Sequence, residues 1–84
     1  MSTDFPSERQ QVSYTLSLLA VYAGRPLLDS FDTRRKVLTE IGISSLALAS
    51  VVVELEDRLD REFDFEAFAG VLTVGDLLRA IGLT

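Results

Sequence analysis

The chain has 84 residues and a net charge of −5, with 48% hydrophobic and 25% charged residues and neither cysteine nor histidine. That is one domain's length and too apolar for disorder; the missing residue types exclude disulfides, thiolate metal sites, cysteine nucleophiles and the commonest general base. The acidic balance argues against nucleic acid, no apolar run is long enough to span a bilayer, and the N-terminus lacks the features of a signal peptide, so a cytoplasmic location without membrane contact is expected.

Taken in chain order, the first helix is predicted to begin near Pro6, with Asp4 or Thr3 as its cap and Glu8 in its first turn. Val12, Leu16, Leu19, Ala20 and Ala23 recur on one face, and Gly24 followed by Pro26 ends the run. From Arg25 to Ile43 the pattern is irregular, with a short helix expected over Thr33 to Glu40, capped by Asp32 and closed by Gly42. So long a connection in so small a domain is either functional or held by its own apolar anchors.

A second main helix is predicted from Ser44-Ser45 to about Leu59. Leu48, Val52, Leu55 and Leu59 form its inner stripe, and Leu46, Ala49 and Val51 widen it. Three consecutive valines are poor helix formers, so packing must hold this helix together. Glu54 and Arg58 stand at a favourable i,i+4 spacing. Phe65 and Phe68 can share one side of a short helical turn, and Thr73 with Asp76 reads as a capping box for a last helix bearing Val74, Leu77, Leu78 and Ile81. No stretch alternates for long enough to be a strand. The expected fold class is all-α: a small four-helix bundle of three main helices and one short one, with a long first loop.

The charge is unevenly placed. Glu54, Glu56, Asp57, Asp60, Glu62, Asp64 and Glu66 face only Arg58 and Arg61 within one stretch, which therefore holds the whole net charge. Such a run is either an ordinary solvated face or an acidic docking surface for basic partner proteins. It does not have the alternating ligands and mid-loop glycine of a calcium loop, and no metal site is expected.

The serine pair at positions 44 and 45 follows Gly42 at a helix entry, where either hydroxyl can serve simply as an N-cap. The free amides and dipole there also favour an attached anionic group. Gly42, Ser45 and Leu46, followed by Glu54-Leu55-Glu56, Phe63-Asp64-Phe65 and Thr73-Val74-Gly75-Asp76-Leu77, resemble the acyl carrier protein family, whose Gly-x-Asp-Ser-Leu signature opens the second helix. The close similarity spans Gly42 to Ile81, and residues 1–84 read as a single acyl carrier domain.

This resemblance implies that a phosphopantetheinyl transferase, with coenzyme A as donor, attaches a 4'-phosphopantetheine arm to Ser45. The arm's thiol would carry acyl groups as thioesters to loading, condensing and modifying enzymes. Leu46, Ala47, Glu54, Glu56 and Asp57 are then the expected partner-recognition residues. Val51, Val52, Leu55, Phe63, Phe68 and Leu72 are the candidates to line an acyl pocket, each being equally at home in an ordinary core. Ser44 stands where the family has aspartate, and Ala47 and Ser50 are neutral where many fatty-acid carriers have acids. A carrier for polyketide or related specialised biosynthesis, acting as a monomer, is therefore expected over a housekeeping fatty-acid carrier. An aminoacyl or peptidyl carrier would use the same serine, and an unmodified helical interaction module remains as an alternative from another class. A serine hydrolase is disfavoured by the absence of histidine.

Overall fold

The computed structural model describes residues 6–83. Within them the chain forms helices α1 (Glu8–Ala23), α2 (Phe31–Arg35), α3 (Ser45–Leu59) and α4 (Val74–Ala80), with 3-10 turns at Leu38–Ile41 and Phe65–Phe68. No strand occurs among the described residues, as expected for an all-α bundle; one isolated antiparallel bridge joins Val37 to Thr73.

The expected caps at Asp4 or Thr3 lie outside the described residues, and α1 is capped instead by Ser7. The Ser7 side chain accepts from the Gln10 amide, and the Gln10 side chain accepts from the Ser7 amide, completing a capping box for a helix that starts two residues beyond Pro6. Gly24 closes the helix in the left-handed conformation at φ 73°, which a glycine reaches without strain.

The long connection is built differently from the single short helix predicted over Thr33 to Glu40. Ser30, not Asp32, caps α2, and α2 stops at Arg35 because Lys36 and Val37 run extended against the start of α4. There the Lys36 carbonyl accepts from the Val74 amide at 3.0 Å, and the Leu38 amide donates to the Leu72 carbonyl at 2.9 Å. A separate 3-10 turn then ends at Gly42, whose φ of 94° turns the chain into α3. Leu27, Leu38, Ile41 and Ile43 are the buried anchors of this connection.

These anchors join Leu16 and Leu19 of α1, Val51 and Leu55 of α3, and Leu77 and Leu78 of α4 in one core. The predicted stripe of the last helix is wholly buried, including Ile81. Leu46, expected to widen the inner stripe of α3, is 80% exposed instead. It lies one residue too early in the turn to reach the face of Leu48, Leu55 and Leu59.

The capping box of α4 forms as predicted. The Asp76 carboxylate accepts from the amides of Leu72 and Thr73 at 3.0 and 3.1 Å and also pairs with Arg79. The two backbone bonds hold the Asp76 carboxyl below the ordinary carboxylate range. A carboxyl depressed in the folded state contributes stability that is complete above its unfolded pKa of about 3.9 and is lost as pH falls through the folded value. The Asp76→Ala variant should therefore be less stable than the parent at neutral pH by about 1 kcal/mol, the size of a capping interaction. Urea denaturation repeated from pH 7 down through the acid range should show this gap closing as the pH falls.

Candidate functional site

Ser44 and Ser45 have separate tasks. The chain arrives at Ser44 in an extended conformation, and the Ser44 hydroxyl accepts from the Ala47 amide at 3.1 Å, so Ser44 is the N-cap of α3. Its carbonyl takes the Leu48 amide. Ser45 is the first helical residue and is exposed, and its hydroxyl has no hydrogen-bond partner among the described residues. The Ser45 and Leu46 amides likewise have no acceptor there, which leaves donors and the positive end of the helix beside that hydroxyl.

Along α3, Ser45, Leu48, Ala49 and Val52 stand at i, i+3, i+4 and i+7, which puts them on one side of the helix. That side faces the Phe65–Phe68 turn across a cavity of about 330 Å³, partly open to solvent and completed by Phe65, Glu66, Phe68, Ala69 and Val71. Phe65 and Phe68 thus address the same space, Phe65 from an exposed rim and Phe68 from a buried wall.

The sequence-derived lining only partly coincides with this cavity. Val52 and Phe68 line it, while Val51 and Leu55 point into the common core at 0% exposure. Leu72 is exposed and its neighbour Val71 takes the place facing the cavity. Phe63 stands behind the wall, its ring edge-to-face with Phe68 at 6.0 Å. Leu48, Ala49, Phe65 and Val71 complete the lining, and the first two follow from counting along the helix face from Ser45.

Of the residues expected to meet partners, Leu46 and Asp57 lie on the outer side of α3. Leu46, Ser50, Val53 and Asp57 follow one another along the solvent face, with Leu46 80% and Val53 62% exposed. Ala47 is half-buried against the core, and Glu54 and Asp57 are exposed. Glu56 is half-buried and partly committed, since one carboxylate oxygen accepts the Phe63 amide at 2.9 Å. Neither arginine of this acidic stretch pairs with its acids. Arg58 lies over the Tyr14 ring, 4.7 Å from its centroid, in place of the i,i+4 partnership with Glu54, and Arg61 lies over Phe63 and donates to the Ile81 carbonyl.

The family described as a phosphopantetheine attachment site matches residues 14–81. The chain belongs to that family. Its cofactor is accordingly a covalently attached 4'-phosphopantetheine. No curated protein and no solved structure matches the chain. The site suits a phosphate ester, because it combines an exposed, unbonded hydroxyl with unpaired amides at the start of a fifteen-residue helix. Among the described residues no helix is long and apolar enough to cross a membrane.

The division of labour between the two serines is measurable without the cofactor. Ser44→Ala removes the cap and should cost about 0.5–2 kcal/mol in thermal or urea unfolding. Ser45→Ala should stay within about 0.5 kcal/mol of the parent.

Proposed function

We propose that this chain is an acyl carrier protein that tethers acyl intermediates as thioesters on an arm attached to Ser45 and presents them to partner enzymes, in polyketide or related specialised biosynthesis. The observation that carries this reading is the free Ser45 hydroxyl at the mouth of an apolar cavity, on a helix start whose cap is provided separately by Ser44. The bound arm supplies a terminal thiol that a chain without cysteine does not have. The protein contributes the attachment point, the position of the cargo and the surface that partners read. It is a substrate of the transferase and has no catalytic residue of its own.

In the attachment step the Ser45 oxygen forms an ester bond to the pantetheine-side phosphorus of coenzyme A. The phosphoanhydride bond breaks, adenosine 3',5'-bisphosphate leaves, and the hydroxyl proton passes to the transferase or solvent. Ser44 in place of aspartate keeps the capping bond and gives up a negative charge. That change affects how a transferase docks and leaves the attachment geometry intact.

The neutral first half of α3, with Leu46, Ala47, Ser50 and Val53, supports a partner set different from that of an acid-rich fatty-acid carrier. Glu54, Glu56 and Asp57 bring their charge about 14–18 Å beyond Ser45 along the helix, at 1.5 Å per residue. Charges at such a distance steer encounter and contribute less to affinity.

Incubation with coenzyme A and a broad-specificity phosphopantetheinyl transferase should add one phosphopantetheine by intact-protein mass. Ser44→Ala should retain the gain and Ser45→Ala should lose it. A parent that gains nothing with several transferases would be an unmodified interaction module. Charging of the arm-bearing protein by an acyltransferase, and not by an adenylating enzyme, separates an acyl carrier from an aminoacyl one.

A further inference from the structure

We propose that Arg61 is a two-position latch. Closed, the guanidinium caps the end of α4 and covers the Phe63 ring; open, it pairs with the carboxylates of its own groove. The latch ties the turn after α4 to the aromatic wall beside Ser45, and it is independent of what that serine carries.

The closed position is built by local chemistry. Asp60 ends α3 in the left-handed conformation at φ 53°, which turns the chain off the helix line and sends Arg61 toward α4. Arg61 Nη1 donates to the Ile81 carbonyl at 2.9 Å, twenty residues on, and the guanidinium lies 4.7 Å from the Phe63 ring centroid. Ile81 is the C-cap of α4, where unpaired carbonyls and the negative end of the helix favour a cation. Arg79, the basic residue of the helix's own last turn, is turned back to Asp76 and leaves that task to Arg61. At Gly82, with φ 89°, a Cβ would stand 3.7 Å from the same guanidinium, so the turn is seated against it. Phe63 in turn meets Phe68 edge-to-face, and Phe68 borders the cavity that Ser45 lines.

The open position is offered by the groove itself. Glu56, Asp57, Asp60 and Glu62 line it with Arg61, yet no ion pair joins Arg61 to any of them among the described residues. A charge-assisted hydrogen bond and a ring contact together outweigh a single exposed ion pair, which is worth little in water. Four carboxylates around one guanidinium nevertheless make the alternative a close competitor. The two positions also differ in their response to salt. The summed attraction of carboxylates spread over the groove is screened within about 10 Å at 0.1 M salt, whereas a bond at contact distance to a carbonyl and a ring is little changed. Salt therefore drives the latch closed, and removing groove acids does the same.

The test follows amide hydrogen exchange on the full chain, because exchange reads rare openings. The Gly82 and Leu83 amides, bonded to the Arg79 and Leu78 carbonyls, report the end of α4, and the Val71 amide, bonded to the Phe68 carbonyl, reports the wall. Raising salt from about 0.02 M to about 0.3 M should slow all three by about fivefold, the lower end of coupling between sites. In Arg61→Gln they should exchange faster and lose the salt response. Asp57→Asn combined with Glu62→Gln should exchange as slowly at low salt as the parent does at high salt. The Leu19 and Leu55 methyl signals report an intact core in each variant. Exchange that quickens or stays constant with salt in the parent would overturn the proposal. So would a salt response that survives in Arg61→Gln or is undiminished in the double variant, or a Val71 amide that does not follow Gly82 and Leu83.

Discussion

The rotation of α3 about its own axis is the constraint on which the rest of the structure depends. Val51 and Leu55 are 0% exposed, and their burial against α1 and α4 leaves the helix no freedom to turn. In so small a core this matters, because truncating one such leucine costs about 2–5 kcal/mol against a total stability of about 5–15 kcal/mol. Once that stripe is set inward, a period of 3.6 residues places every other side chain. Ser45, Leu48, Ala49 and Val52 turn toward the Phe65–Phe68 segment, and Leu46 and Val53 turn outward. The display of the Ser45 hydroxyl and of the outer face of α3 are thus consequences of core packing, and neither needs a loop of special shape.

The long first connection serves the same end. Ile43, 1% exposed, enters the core immediately before the serine pair, and the positive φ of Gly42 directs the chain into the cap at Ser44. Upstream, the bridge between Val37 and Thr73 ties the connection to the beginning of α4. Gly75 makes that approach possible, since a Cβ there would lie 3.0 Å from the Arg34 carbonyl oxygen. The segment is an irregular wall held by its own apolar anchors.

What the sequence reveals and conceals follows from which interactions are local. Ser7-x-x-Gln10, Thr73-x-x-Asp76 and Ser44 are caps made by neighbours in sequence, so all three are legible, although Asp4 and Thr3 before the proline compete with the first as cap residues. The core stripes of α1 and α4 are likewise local periodicities. The breaking of the loop helix at Arg35 depends on an isolated bridge to Thr73, thirty-odd residues away, and nothing near Arg35 announces it. Arg58 has two possible partners, and the local i,i+4 rule favours Glu54 only when no aromatic ring is offered; Tyr14 comes from another helix. The cavity lining failed for a related reason. The residues most apolar in sequence, Val51 and Leu55, are needed by the core, which leaves smaller or rim residues such as Ala49 and Phe65 to line the cavity beside Ser45.

The acidic stretch and the cavity are joined through Phe63. Its amide is held by Glu56, its ring lies under Arg61, and its edge meets the ring of Phe68 in the cavity wall. On the other side Phe63, Glu56 and Arg61 line an open groove with Val53, Asp57, Asp60 and Glu62. With Arg58 and Arg61 directed to Tyr14, Phe63 and the Ile81 carbonyl, those acids lack intramolecular ion pairs among the described residues. Their field is left to solvent, where salt screens it within about 10 Å. Glu56 and Phe63 lie in that groove, on the reverse of the Phe68 ring in the cavity wall. The acidic groove and the apolar cavity are therefore two sides of one aromatic contact.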